Sequence, residues 1–208
     1  MIEPTSIDLM ESLTTWYGPP GKDPTPLPNS CDWLPRPLRE WHVLASRWDM
    51  PLTSITWMIP PERIKIDDGK AIFMEDATGD WRWSFDPDDP DSVFEAELYE
   101  HWQPVPERLP VFLVHSAVKQ VFYTATARMR AFAVPTKVLM EILAPLQEVA
   151  FGAWRWPVPG VRIFTGDNVL VEVVPSKYEP EWYVAAAAPE FNRLSGLENI
   201  AGVHWRRY

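Results

Sequence analysis

The chain has 208 residues and a formal net charge of −10, and its sequence pI is about 4.9. Such an excess of carboxylates repels phosphate groups, so we expect no nucleic-acid partner and no anionic membrane partner. The single cysteine, Cys31, excludes an internal disulfide and a site built from several thiolates. No run approaches the ~18–20 apolar residues that span a bilayer, and Met1 opens no basic and apolar leader, so we expect a cytoplasmic protein.

The N-terminal residues 1–30 are predicted to form one helix and a proline-rich loop. Apolar residues recur at helical spacing from Ser6, a candidate N-cap, to Tyr17. Residues 18–30 then contain five prolines and two glycines, which is typical of a loop. A second helix is predicted from Leu38 to about Trp48.

The middle of the chain is predicted to form strands. Apolar and polar residues alternate from Ile55 to Ile59, from Ile64 to Ile66, and most clearly from Ile72 to Phe85. Thr78-Gly79-Asp80 interrupts the longest run where a hairpin turn is expected. Residues 92–99 form a further candidate strand.

The rest of the chain mixes helices with short strands. The strongest helical pattern runs from Glu107 to Ala125, and another runs from Pro135 to about Ala150 with an expected kink at Pro145. A short helix is predicted over Pro189–Leu197. The predicted strands are Val161–Phe164, Val169–Val174, Trp182–Ala187 and Val203–Trp205.

Runs of strands between runs of helices predict an α+β fold, with a central and mainly antiparallel sheet flanked by helices. Residues 1–30 are expected to form an N-terminal helix and loop, and residues 31–125 the core of the domain. Residues 126–208 are expected to be an α+β extension of the same domain.

The net charge is concentrated in one segment. From Asp67 to Glu100 there are 12 acids and two bases, whereas the other 174 residues carry 17 acids and 17 bases. Within this segment Asp86–Asp91 reads DPDDPD, which predicts an exposed acidic loop stiffened by proline. Trp81, Trp83 and Phe85 share one strand face, and such a face is more typical of a core than of a ligand site.

The residues indicate no catalytic centre. The four histidines have no metal-ligand spacing and stand beside no Ser or Cys nucleophile motif, and His115 is expected to be a core histidine in an apolar helix. Asp86, Asp88 and Glu97 fit positions 1, 3 and 12 of an EF-hand loop, but Pro90 stands where a carboxylate is needed. We therefore expect no catalytic residue, no metal and no cofactor.

Several short motifs resemble the SUKH superfamily, which contains fungal cell-wall-assembly regulators and bacterial immunity proteins for polymorphic toxins. The motifs lie within residues 33–125 and keep the order of the family. They are the LPRPLREW helix at Leu34–Trp41, the hairpin Ala71–Phe85, the loop and strand Asp88–Phe94, and Trp102 followed by Leu109–Leu113. Asp91-Ser92 departs from the family's loop motif, which has a second proline at this point.

The resemblance implies an α+β domain without catalytic residues that binds another protein, in many members a toxin nuclease. The charge pattern leads independently to a basic protein partner, because clustered carboxylates accelerate encounter with a cationic surface. The predicted partner-binding residues are Asp86, Asp88, Asp89, Asp91, Glu95 and Phe94.

Three functions remain open at this point. The first is an immunity protein that neutralises a toxin, such as a nuclease, through an acidic surface. The second is a regulatory scaffold that binds an endogenous protein. The third is a carbohydrate-active hydrolase that uses the loop carboxylates, although so dense an acidic run supplies carboxylate pairs by chance. A fourth interpretation assigns the acidic run no partner: it is a solvated face that keeps the protein soluble. No oligomeric state is predicted.

Overall fold

The structure is a computed structural model that describes residues 1–176 and 181–208. It confirms the predicted α+β class, with mainly antiparallel sheets flanked by helices. The chain divides into two compact units. We call Ile7–Val121 the first unit, and Met1–Ser6 together with Phe122–Tyr208 the second unit.

The first unit contains helices α1 (Leu9–Tyr17) and α2 (Arg36–Ala45) and most of α3 (Leu109–Thr124). The first helix begins after Asp8 rather than Ser6, because the Asp8 carboxylate accepts the backbone N–H of Glu11 at 3.1 Å. It ends at Gly18, whose positive φ of 82° suits glycine. The second helix begins two residues earlier than predicted, and it has a proline in its first turn, where no backbone N–H is needed.

The first sheet consists of six strands that pair in the order β1–β3–β4–β5–β6, with β2 also paired to β3. All of these pairs are antiparallel. The strands are β1 (Thr56–Met58), β2 (Ile66–Asp67), β3 (Lys70–Asp76), β4 (Trp81–Asp86), β5 (Asp89–Glu97) and β6 (Gln103–Arg108). The last strand was not predicted, because Pro104 and Pro106 interrupt it. Its position at the end of the sheet order explains why it tolerates them.

The core of the first unit lies between the first sheet and α3. Trp83 and Phe85 are fully buried, which confirms that this strand face is core. Phe112 of α3 meets Phe73 edge to face, with ring centroids 5.6 Å apart and planes at 86°. Its centroid is also 6.4 Å from that of Trp83. The aromatic side chains of two strands and one helix therefore pack as one cluster.

The second unit contains a separate six-stranded sheet in the order β12–β7–β11–β10–β9–β8. Its strands are β7 (Ala127–Pro135), β8 (Gln147–Glu148), β9 (Arg162–Gly166), β10 (Val169–Pro175), β11 (Glu181–Ala188) and β12 (Arg206–Arg207). Its helices are α4 (Thr136–Leu143) and α5 (Ser195–Glu198). One face of the sheet packs on Leu139 and Ile142 of α4 and Leu197 of α5.

Two predictions for the second unit were wrong in detail. The helix predicted to reach Ala150 ends at Leu143, because Pro145 cannot donate to the helix and restricts the residue before it. The proline therefore terminates α4 instead of kinking it. The strand predicted at Val203–Trp205 lies instead at Arg206–Arg207.

The units divide the chain differently from the predicted segments. The second unit builds a sheet of its own, so residues 126–208 do not extend the first sheet. Its boundary at Phe122 lies close to the predicted one. The N-terminal segment 1–30 is shared, because Met1–Ser6 belongs to the second unit and the rest to the first. That the two units form one domain stays a prediction.

The aromatic cluster predicts the effect of removing one ring. Phe112→Ala should lower the free energy of unfolding by about 3–5 kcal/mol, because it leaves a cavity among fixed neighbours. Trp57→Ala is the control in the same unit, since this side chain is 51% exposed and should cost about 1 kcal/mol or less. Urea unfolding followed by circular dichroism measures both. Equal losses would contradict the assignment of Phe112 to the core.

Candidate functional site

The acidic segment Asp86–Asp91 is a tight hairpin rather than a loop. The strand β4 ends at Asp86 and β5 begins at Asp89, and these two residues pair across the strands. Only Pro87 and Asp88 form the turn. The Asp86 carboxylate accepts the backbone N–H of Asp88 at 2.9 Å, which closes the turn locally. The prediction of a loop through Asp91 was therefore wrong, because β5 already begins at Asp89. The register shifts between Phe85 and Asp86, so residues 90–92 have no pairing partner on β4.

Strand pairing collects six carboxylates at one end of the first sheet. The β2–β3 turn and the β4–β5 turn lie at this end, because Asp67 pairs with Lys70 and Ala71 pairs with Phe85. We call these six residues the acidic end: Asp67, Asp68, Asp86, Asp88, Asp89 and Asp91. They lie in or beside two turns that are separated in sequence, so the site is larger than the predicted hairpin residues.

Other acids of the same segment lie at the opposite end of the first sheet. Glu97 pairs with Trp81 at the far end of β4, five residues from Asp86. Glu97 therefore cannot complete a calcium loop with Asp86 and Asp88. Asp76 has a structural role at this end, because it accepts the N–H of Trp81 at 3.0 Å and the hydroxyl of Thr78 at 2.7 Å.

Two cations organise the acidic end. The Lys70 ammonium lies 2.8 Å from the Asp86 carboxylate and 4.2 Å from the centre of the Phe94 ring. The Arg108 guanidinium makes a two-pronged contact with Asp89, at 3.1 Å and 3.2 Å. It also lies 3.6 Å from Asp91. Six carboxylates and two cations leave a formal charge of −4 at this end of the sheet.

Both paired carboxylates are held in their ionised form. The hydrogen bond from Lys70, followed by that from the Asp88 N–H, lowers the pKa of Asp86 below its ordinary value. The Ser92 hydroxyl donates to Asp89, and this bond and the contact with Arg108 lower the pKa of Asp89. These contacts favour the charged forms of Asp86 and Asp89 and fix the positions of the two carboxylates.

Five of the six predicted partner-binding residues lie together. Asp88 and Asp89 are exposed, whereas Asp86, Asp91 and Phe94 are half-buried. Phe94 pairs with Ser84 on the strand next to it, and its ring is joined to the acidic end through Lys70. A partner that contacts the hairpin would meet this ring beneath the lysine.

Glu95 was wrongly placed on the recognition surface. It is only 2% exposed, because alternation along β5 turns it to the face opposite Phe94. It pairs with Trp83 across the strands, which places it on the core side of the sheet. A partner protein would not contact it.

The first unit also buries several polar side chains, and the sequence did not predict that they contact one another. His115 is buried, as predicted, and its Nδ1 lies 3.0 Å from the Glu107 carboxylate. Burial lowers the pKa of His115, and Glu107 opposes this shift in part. The Gln120 carbonyl oxygen accepts the N–H of Ser54 at 2.6 Å and that of Ile55 at 3.2 Å. These contacts hold the chain in place before β1 and are structural.

Within residues 1–176 and 181–208, no group of three or more His, Cys, Asp or Glu side chains is arranged to hold a metal ion. Among the same residues, no helix has the length and apolar character needed to cross a membrane. Comparison of the chain with protein-family models, curated proteins and solved structures finds no match. The resemblance to the SUKH superfamily therefore depends on the short motifs alone.

Glu95 is buried and Asp88 is exposed, so substitution by lysine should affect the stability of the protein differently at the two positions. Glu95→Lys should lower the free energy of unfolding by about 3 kcal/mol or more, because it puts an ammonium into the core. Asp88→Lys changes the charge equally at an exposed turn and should leave the melting temperature nearly unchanged. Thermal unfolding of the two variants measures the contrast. If Glu95→Lys melted like the unmodified protein, the burial of Glu95 would be contradicted.

Proposed function

We propose that this chain is a non-enzymatic protein-binding domain, an immunity protein of the SUKH type that neutralises a toxin, such as a nuclease, through its acidic end. The observation that supports this most is the placement of charge. The first unit contains 20 acids and 10 bases, whereas the second unit contains nine of each. The whole net charge therefore belongs to the unit that presents the acidic end.

A nuclease offers a suitable partner surface on electrostatic grounds. Its substrate groove must attract phosphates, so it is lined by lysine and arginine. Carboxylates on a protein surface can occupy such a groove in place of the nucleic acid. Their long-range field also accelerates encounter, which suits an inhibitor that must act before the toxin does.

The pairs at the acidic end make it a better docking surface than a flexible acidic tail. Arg108 fixes Asp89, and Lys70 fixes Asp86, so less side-chain freedom is lost on binding. Asp88 stands at the turn itself and is exposed. Phe94 supplies an apolar group beside these charges, which is the combination found at interface anchors.

The proposal expects a toxin gene next to the gene for this chain, and the toxin domain that it encodes is the partner in the test. A triple variant, Asp88→Lys, Asp89→Lys and Asp91→Lys, reverses the acidic end. The control is Asp80→Lys, Glu97→Lys and Glu100→Lys, which makes the same change in net charge at the opposite end of the sheet. The first should weaken binding about 100-fold or more, because each lost close charge pair costs at least about 1.5 kcal/mol.

Calorimetric titration measures the affinity, and an assay of toxin activity measures neutralisation. The control variant should stay within about tenfold of the unmodified protein, since only long-range attraction is reduced. Equal weakening by both variants would contradict a specific acidic end. Unchanged neutralisation by the first variant would remove this surface from the proposal.

A further inference from the structure

A groove beside α2 combines apolar side chains with arginines in the otherwise acidic first unit. Its volume is about 540 Å³, which lies in the range of small-molecule sites, roughly 300–1,000 Å³. Met10 of α1 and Val43 and Leu44 of α2 supply apolar surface. The arginines that line it are Arg36, Arg39 and Arg47.

Helical spacing explains why these side chains share one groove. Arg39 and Val43 are four residues apart, so they lie along one side of α2. Arg47 stands just beyond the last residue of α2. Guanidinium groups therefore flank apolar surface.

Two of the three guanidinium groups have unused capacity to donate hydrogen bonds. Arg36 is paired with Glu40 at 2.6 Å, whereas Arg39 lies 3.5 Å from Asp32 in an exposed and weak contact. Arg47 approaches the Met10 sulfur at 3.5 Å, and a thioether is a weak acceptor. The Nε atoms of Arg39 and Arg47 are shielded from water and have no hydrogen-bond partner among the described residues. A ligand in the groove cannot reach these Nε atoms, so the terminal nitrogens of the two guanidinium groups would have to bind the acceptor.

We infer that this groove binds a small organic carboxylate with an apolar body. A carboxylate matches the forked geometry of guanidinium donors, and the body of the ligand would cover Met10, Val43 and Leu44. Three arginines and Glu40 give the groove lining a formal charge of +2. A polyanion would extend past the groove into the field of an acidic unit, whereas a small anion feels the nearest charges most strongly.

Octanoate is a suitable probe, and octan-1-ol is its neutral counterpart with the same chain length. Calorimetric titration below the micelle concentration should show saturable binding of one octanoate per chain. Octan-1-ol should bind at least about tenfold more weakly, because it has no charge to pair with the arginines. Equal affinity for the two compounds, or no saturable binding of octanoate, would overturn the inference.

Substitutions locate the binding. Arg39→Gln and Arg47→Gln should each weaken octanoate binding about tenfold and leave the weak octan-1-ol binding unchanged. Arg47→Lys should lose less, since it keeps the charge but not the fork. Arg63→Gln is the control, because Arg63 is exposed and does not line the groove. Octanoate binding that is indifferent to the Arg39 and Arg47 substitutions would place it elsewhere and overturn the inference.

A measurement on the unmodified protein guards against variants that fail to fold. Octanoate should shift the backbone amide resonances of α1 and α2 in nuclear magnetic resonance spectra. Shifts confined to other elements would overturn the inference. The result is independent of the proposed function, because none of the groove residues belongs to the acidic end.

Discussion

The packing of Trp83 near Phe112 of α3 and of Phe85 near Phe73 determines where the charges beside β4 lie. Side chains alternate along a strand, so the two buried aromatic residues fix which neighbours face the core. A register slip of one residue would turn every side chain of β4 to the other face. Asp86 follows Phe85 directly at the end of β4, where a register shift lets it pair with Asp89. The acidic end therefore begins next to the last aromatic residue of the buried face.

The same constraint separates acids that look alike in the sequence. Asp88 and Glu95 belong to one acidic run, yet the first lies at an exposed turn and the second is buried. Carboxylates crowded at one end repel each other, and Lys70 and Arg108 offset part of that repulsion. They also fix the orientation of the Asp86 and Asp89 carboxylates. The site is therefore an organised surface with a residual negative charge, which is the property that the proposed function requires.

The sequence predicted the fold class, the Thr78–Asp80 turn and the buried aromatic face because each depends on local pattern. It missed β6, whose prolines hide a strand at the end of the sheet order. It also missed β7, in which Arg128 and Arg130 alternate with Ala127, Met129 and Ala131, so that only one large apolar residue marks the buried face of this part of the strand. Alternation along β5 indicates that Phe94 and Glu95 face opposite sides, but it does not indicate that the carboxylate is the one facing the core. The groove beside α2 could not be predicted from the sequence either, because Met10 of α1 and the residues of α2 that line it are brought together only by folding.

Amide hydrogen exchange of the complex tests most directly whether the acidic end is the docking surface. The protein would be measured alone and bound to the toxin domain that the proposal expects to be encoded beside it. Binding should slow exchange in the two turns of the acidic end, around residues 67–70 and 86–91. Exchange around residues 77–80, at the opposite end of the sheet, should be unchanged. Protection at residues 77–80 with none at the acidic end would contradict this account.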